Sequence, residues 1–254
     1  MRLKFFITTV LVFSSILVKS QTTWNGSVNS NWNDAANWSS GIPNTTTAAI
    51  IPAAGTVTNW PKLNVDANVA ALTMGEGSSM DVNGFFVTIY SGGLNLNGGM
   101  APITITNSST VTNIAFTSAT GSTGNWLIGN VIFMDQVVYS IMGTGIFYDG
   151  STGGATVYKK DVSYIIQNTG NAFICTYFPN VYEGNVGVIR NAATSTSITN
   201  IFVSGHAGIA GHFTLNNTVG GNSSINPSGS TVDTIQGAVN ITVGRSGSLQ
   251  HHFV

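Results

Sequence analysis

The residues that could carry chemistry are few and widely spaced, since charged side chains make up only 7% of the 254 residues. Glycoside cleavage uses two carboxylates about 5 to 9.5 Å apart, and metal-assisted lyases need clustered acids beside a base. The best combination that the sequence offers is Asp135 with Asp161, next to Lys160. Neighbouring surface charges of this kind usually form ion pairs, so we predict no catalytic residue. The acidic residues are Asp34, Asp66, Glu76, Asp81, Asp135, Asp149, Asp161, Glu183 and Asp233.

Metal and cofactor chemistry is similarly weak. His206 and His212 lie six residues apart, but a structural zinc site needs four ligands and no cysteine or third histidine is near them. The single cysteine, Cys175, lies in an apolar run and is expected to be a buried small hydrophobe. Nucleotide-binding and Gly-x-Ser-x-Gly fingerprints do not occur. We therefore expect no cofactor and no metal site.

The tryptophans are concentrated near the amino terminus, at Trp24, Trp32, Trp38 and Trp60. Trp24, Trp32 and Trp38 could form a platform that stacks on sugar rings, with surface glycans or a host or environmental polysaccharide as the partner. Alternatively, they could fill a cap over the exposed end of a repeat array. The cap is favoured because every repeat protein must cover its ends.

The elements that must position these residues are short strands repeated along the chain. Five copies of one seven-residue pattern begin at Phe133, Tyr158, Tyr182, Ile209 and Ile235, with spacings of 25, 24, 27 and 26 residues. Each has apolar residues at its first, fifth and seventh places, which is typical of short strands that share one buried face. A constant period of this length indicates a solenoid, so we predict that these five residues form one interior column.

Three residues in each copy predict a corner between strands: 134–136, 159–161, 183–185, 210–212 and 236–238. Glycine is the middle residue of three corners, and we expect it to adopt a positive φ there. Stacking in register would place Lys159 over Glu183 and Asp135 over Lys160, each pair contributing only tenths of a kcal/mol.

The first half supports the same architecture. Apolar pairs recur between Leu63 and Phe116 at intervals of 7 to 11 residues, with glycines in the gaps. Three such steps equal one later period, which predicts three strands per coil. The fold class is therefore all-β, a parallel β-helix (β-solenoid) with about 22–27 residues per coil and an aromatic N-terminal cap.

Three segments are expected. Residues 1–20 have the basic start, apolar run and small final residue of a signal peptide; residues 21–61 form the cap, and residues 62–254 form the β-helix. Without residues 1–20, five basic side chains face nine acidic ones, a net charge of −4. That balance argues against a nucleic-acid partner, and no later apolar run is long enough for a membrane span.

Several motifs resemble secreted cell-surface repeat proteins of Bacteroidota. These are Trp-Asn-Gly at 24–26, Asn-Trp at 37–38, Gly-Ile-Pro at 41–43 and Tyr-Glu-Gly-Asn-Val-Gly-Val at 182–188. The resemblance implies a right-handed parallel β-helix that is exported, adhesin-like and tethered by a carboxy-terminal sorting domain of the type IX secretion route. Because Val254 falls a few residues into another coil, we expect that the chain is truncated and that a missing region or a partner caps the last coil.

The predicted function is thus a secreted, non-enzymatic structural or adhesive module of a bacterial surface. The alternative is a carbohydrate-active protein, either a glycan-binding module or a polysaccharide lyase built on a β-helix.

Overall fold

The chain winds into parallel coils, as its sequence period predicts. The structure, a computed structural model, describes residues 20–251 except 111, 152, 168–169, 176, 179, 192–197, 202–207, 218–220, 226–233 and 244–246. The predicted signal peptide lies outside the described residues apart from Ser20, and His206 lies outside them as well.

The described residues form 23 strands and one short 3-10 helix, Ala35–Asn37. The strands are β1 (Ser20–Thr23), β2 (Thr47–Ile51), β3 (Ala67–Met74), β4 (Ser79–Asp81), β5 (Phe86–Asn97), β6 (Ile103–Thr106), β7 (Ile114–Ser118), β8 (Trp126–Gly129), β9 (Val131–Phe133), β10 (Val137–Ile141), β11 (Phe147–Asp149), β12 (Val157–Tyr158), β13 (Val162–Ile166), β14 (Ala172–Ile174), β15 (Val181–Tyr182), β16 (Val186–Arg190), β17 (Ile198–Ile201), β18 (Gly208–Ile209), β19 (Phe213–Asn217), β20 (Gly221–Ile225), β21 (Thr234–Ile235), β22 (Val239–Val243) and β23 (Gly247–His251).

Three faces surround the core, and from β6 onward each coil contributes one strand to each face. The first face is the seven-stranded sheet β4, β6, β9, β12, β15, β18 and β21. The second face contains β7, β10, β13, β16, β19 and β22, and the third contains β8, β11, β14, β17, β20 and β23. The long strand β5 joins the second and third faces, because its first part pairs with β7 and its second part with β8. Its bend lies near Gly93, whose φ of 84° suits a residue without a Cβ.

The core consists of stacked columns of inward side chains. Parallel register places Phe133, Tyr158, Tyr182, Ile209 and Ile235 one above another on the first face. The first four are at most 1% exposed, and Ile235 is half-buried. The rings of Tyr158 and Tyr182 stack with centroids 5.1 Å apart. Each coil therefore covers the apolar side of the next, which a single coil could not bury alone.

The predicted cap region also contributes strands to the solenoid. β1 pairs with β2, and β2 pairs with β3, all in parallel. Residues 21–61 thus extend the third face as well as carrying three buried tryptophans.

The corner glycines correct one prediction from the sequence. Gly184, Gly211 and Gly237 do not have a positive φ. Instead, a Cβ on Gly211 would lie 2.6 Å from the carbonyl oxygen of Gly184, and one on Gly237 would lie 2.5 Å from that of Gly211. Glycine is needed at these corners because successive backbones approach closely.

Candidate functional site

Trp24, Trp32 and Trp38 form a buried cluster. Their side chains are 1%, 2% and 4% exposed, and Trp38 packs edge-to-face against both of the others. The indole Nε1 of Trp38 donates a hydrogen bond to the carbonyl oxygen of Trp32, at 2.8 Å. A sugar ring stacks on an exposed aromatic face, and this arrangement leaves none at the surface. The structure thus contradicts the glycan platform at these three residues.

Exposed charges gather along the edge between the first and second faces, which we call the charged corner (residues 134–136, 159–161, 183–185, 210–212 and 236–238). Lys159 forms an ion pair with Glu183 of the next coil, and Lys160 forms one with Asp135 of the preceding coil. Both pairs are the ones that stacking in register predicts. They remain solvent-accessible, so each contributes at most about 1 kcal/mol.

Beside the charged corner lies a polar cleft of about 320 Å³. One wall is the segment between β6 and β7, residues 107–110 and 112–113, whose lining side chains are all hydroxyls and amides. Asp135, Gln136 and Lys160 form the other wall. The cleft therefore offers many hydrogen-bond donors and acceptors, and its two charges are paired with each other.

Asn107 fixes the shape of the first wall from within. It is only 7% exposed, and its Oδ1 accepts hydrogen bonds from the backbone N–H groups of Gly84 and Ser109, at 2.8 and 3.1 Å. Its Nδ2 donates to the carbonyl oxygen of Thr112. These bonds hold the loop in shape and tie it to Gly84 of the preceding coil. Asn107 therefore shapes the cleft from within.

Ser108 joins this wall to the preceding coils. Its Oγ donates to Oδ2 of Asp81 at 2.6 Å and accepts from Nζ of Lys62 at 2.9 Å. Partial burial raises the pKa of Asp81, but the hydrogen bonds from Ser108, Asn83 and Lys62 outweigh this and hold the pKa below its usual value. A carboxylate stabilised in its ionised form is a poor proton donor at neutral pH.

The strongest catalytic candidates from the sequence do not meet in the cleft. Asp135 lines it, but Asp161 is not among its lining residues. Asp161 instead accepts hydrogen bonds from the backbone N–H and the side-chain amide of Asn185, at 2.8 and 3.2 Å. The described lining of the cleft thus has one carboxylate, already paired, whereas glycoside cleavage uses two.

A second polar group lies inside the core, centred on Asp149. This carboxylate is fully buried, and its Oδ2 accepts hydrogen bonds from the hydroxyls of Tyr158 and Tyr164. Since both tyrosines donate to Asp149, Tyr139 donates to Tyr158 and Tyr182 donates to Tyr164, each at 3.3 Å. We call these five residues the tyrosine-carboxylate network.

Burial shifts the pKa values of the whole network. It raises the pKa of Asp149 to about 6, although the hydrogen bonds from Tyr164 and Tyr158 favour the ionised form. It also raises the pKa of all four phenols well above their usual value, and the charge of Asp149 adds to the effect. Asn180, whose Nδ2 donates to the hydroxyl of Tyr182 at 3.1 Å, extends the network.

Asp149 belongs to no sequence motif, yet a signal for its role exists. The repeat pattern places Tyr139, Tyr158, Tyr164 and Tyr182 inside, and buried phenol hydroxyls need acceptors. Phe147 and Asp149 are two residues apart in β11, so both side chains point into the core. Combining these two observations would have placed an acid beside the phenols.

Cys175 and His212 have structural surroundings. Cys175 is fully buried, as expected, and its Sγ accepts a hydrogen bond from the backbone N–H of Asn180 at 3.2 Å. His212 is exposed, and its Nδ1 accepts from the backbone N–H of Ala238 at 2.8 Å. Within the described residues, no group of three or more histidine, cysteine, aspartate or glutamate side chains is placed to hold a metal ion.

Comparison with family models, with curated proteins and with solved structures finds no match to this chain. In the part of the chain that the structure describes, no helix has the length and apolar character needed to cross a membrane. Function must therefore be argued from the fold, the charged corner and the cleft.

Proposed function

We propose that this chain is a secreted, non-enzymatic structural or adhesive module of a bacterial cell surface. The fold supports this role because stacked coils form a stiff body with extended side faces on which partners can bind. The export signal and the surface location follow from the sequence of residues 1–20 and from the resemblance to cell-surface repeat proteins.

The non-enzymatic part of the proposal rests on one observation: each candidate catalytic acid is already paired or buried within the protein. Asp135 pairs with Lys160, Asp161 accepts from Asn185, and Asp149 is enclosed in the core. General acid–base catalysis requires a group that can reach the substrate and exchange a proton with it. Asp135 and Asp161 instead connect successive coils, and Asp149 stabilises the packing of the core.

An adhesion assay combined with a cleavage assay tests the proposal. Beads coated with the purified protein should be retained on polysaccharide-coated surfaces or bacterial cells, while beads coated with an unrelated protein of similar charge should wash off. Incubation with pectin, alginate and neutral polysaccharides should release neither unsaturated sugars nor new reducing ends.

The polysaccharide lyase is the competing function, since Asp135 and Lys160 lie together in a cleft. It predicts release of unsaturated sugars that an Asp135→Asn variant abolishes. That outcome would overturn the non-enzymatic proposal, and failure of the coated beads to adhere would overturn the adhesive part.

A further inference from the structure

The polar cleft beside the charged corner contains two kinds of side chain. Asn107 and Ser108 are held by hydrogen bonds within the protein. In contrast, the side chains of Thr110, Asn113 and Gln136 have no hydrogen bond to any described residue, although all three line the cleft. A rigid frame thus presents one hydroxyl and two amides whose hydrogen-bonding groups are uncommitted.

These three groups define the chemistry of the ligand. A hydroxyl both donates and accepts, and each amide offers two donors and an acceptor. Sugar hydroxyls also do both, so a hydroxyl-rich ligand can satisfy all three side chains. A purely apolar ligand would leave them buried without partners, which costs free energy at each group.

The charge and the size of the cleft further restrict which ligands it can bind. The only charged residues in its described lining, Asp135 and Lys160, form an ion pair with each other, so this lining is neutral overall. An anionic or cationic ligand would have to compete with that pair. A volume of about 320 Å³ is at the lower limit of small-molecule sites, which span roughly 300–1,000 Å³, and corresponds to one or two sugar rings.

We propose that this cleft binds a neutral, hydroxyl-rich saccharide, as a chain end or branch of one or two rings. Thr110, Asn113 and Gln136 hydrogen-bond its hydroxyls, and the Lys160–Asp135 pair closes the opposite wall. The inference rests on the proposed adhesive function and specifies its ligand. It also moves glycan recognition from the buried tryptophans to the corner between two faces.

Two matched lysines make a sharp test. Lys160 and Lys159 are adjacent, and each forms one ion pair across coils at the charged corner, but only Lys160 lines the cleft. Titration calorimetry with short neutral oligosaccharides of glucose, mannose or xylose should show binding to the wild-type protein. Lys160→Met should weaken that binding about tenfold, whereas Lys159→Met should leave it unchanged.

A second variant, Asn113→Ala/Gln136→Ala, removes uncommitted amides without breaking an ion pair, and it should also weaken binding about tenfold or more. Gln236→Ala, at an exposed position of the last corner, is its control and should bind like the wild type. Unfolding midpoints that agree between Lys160→Met and Lys159→Met establish that both variants fold comparably.

Three results would overturn the cleft assignment. These are no binding of any neutral oligosaccharide, equal weakening by Lys159→Met and Lys160→Met, or wild-type affinity of the double variant. Preference for acidic oligogalacturonate over the neutral sugars would overturn the neutral class. If the double variant still adheres in the bead assay, adhesion stands while the cleft is excluded as its site.

Discussion

Asp149 places an ionisable acid at the centre of an otherwise apolar column. Its surroundings act in opposite directions, since burial disfavours the charged form while two phenol hydroxyls stabilise it. Burial prevails and holds the pKa near 6. The tyrosine-carboxylate network therefore changes its charge state at a pH where most aspartates are already ionised.

Replacing Asp149 with asparagine should remove a pH dependence of stability. The folded pKa of about 6 exceeds the unfolded value of about 3.9, so the protonated acid favours folding. This contribution is complete below about pH 3.9 and is lost as the pH rises to about 6, a change of roughly 3 kcal/mol. Denaturant unfolding between these pH values should show the wild type losing this much relative to Asp149→Asn.

The exposed Asn68, which has no ionisable group, provides the control. Asn68→Ala should follow the same pH profile as the wild type through this window. A parallel profile for Asp149→Asn would instead mean that the buried acid does not titrate there.

Trp38 should behave as a core residue. Trp38→Ala leaves a cavity beside Trp24 and Trp32, and losses of buried tryptophan typically cost about 3–5 kcal/mol. Its unfolding midpoint in denaturant should fall accordingly. Trp60 is only half-buried against the same core, so Trp60→Ala should cost less. An unchanged midpoint for Trp38→Ala would contradict the buried cluster.

The corners are the elements that limit how closely coils can stack. At Gly184, Gly211 and Gly237 the backbones of successive coils leave no room for a Cβ. At the corresponding positions of two earlier coils, Asp135 and Lys160 instead form an ion pair across the corner. The later corners are thus in close backbone contact, whereas the two earlier corners are joined by an ion pair between side chains.

Gly211→Ala should destabilise the protein by about 1–3 kcal/mol, because its new Cβ would meet the fixed backbone of Gly184 at 2.6 Å. Gly208, three residues away in β18, serves as the control because a Cβ added there would meet no other atom within 4 Å. Gly208→Ala should change the free energy of unfolding only slightly. Equal effects of the two substitutions in chemical denaturation would refute the crowded corner.

At the scale of the whole molecule, each coil stabilises chiefly its neighbours. Column residues contact the equivalent residues one coil above and below, as the stacked rings of Phe133, Tyr158 and Tyr182 show. Stability in such arrays is approximately a sum of coil terms and nearest-neighbour terms. Energetic coupling should therefore fall off within one coil.

A double-mutant cycle tests this expectation. Tyr158→Leu and Tyr182→Leu change stacked neighbours and should be non-additive by about 0.5 kcal/mol or more. Phe133→Leu and Ile209→Val are separated by two coils of the same column and should add within about 0.5 kcal/mol. Free energies of unfolding of the single and double variants measure both. Strong coupling across the separated pair would contradict the nearest-neighbour description.

The sequence predicted those features of the fold that repeat. The period predicted three strands per coil, and the inward parity of Phe133 and Tyr158 predicted the interior column. The same register placed Lys159 opposite Glu183. Handedness stays a prediction, because it came from the resemblance to known repeat proteins.

The cleft could not be predicted, because the segment between β6 and β7 is outside the repeat pattern. Its shape depends on the contacts of Asn107 with Gly84 and Thr112, which no periodicity encodes. The function of the corner glycines was also misjudged from the sequence. Glycine is suited both to a positive φ and to the close approach of two backbones. The position of the neighbouring coil decides between these two roles, and the sequence of one corner does not show it.

The backbone hydrogen bonds between coils run along the axis of the stack, and this orientation has a mechanical consequence. Tension applied along that axis is parallel to these bonds. The bonds at one coil boundary therefore break before those at the next boundary are loaded. Each released coil of about 25 residues can extend to roughly 85 Å while the remaining coils stay wound. A molecule built in this way would lengthen in steps under a pulling load and absorb work at every step.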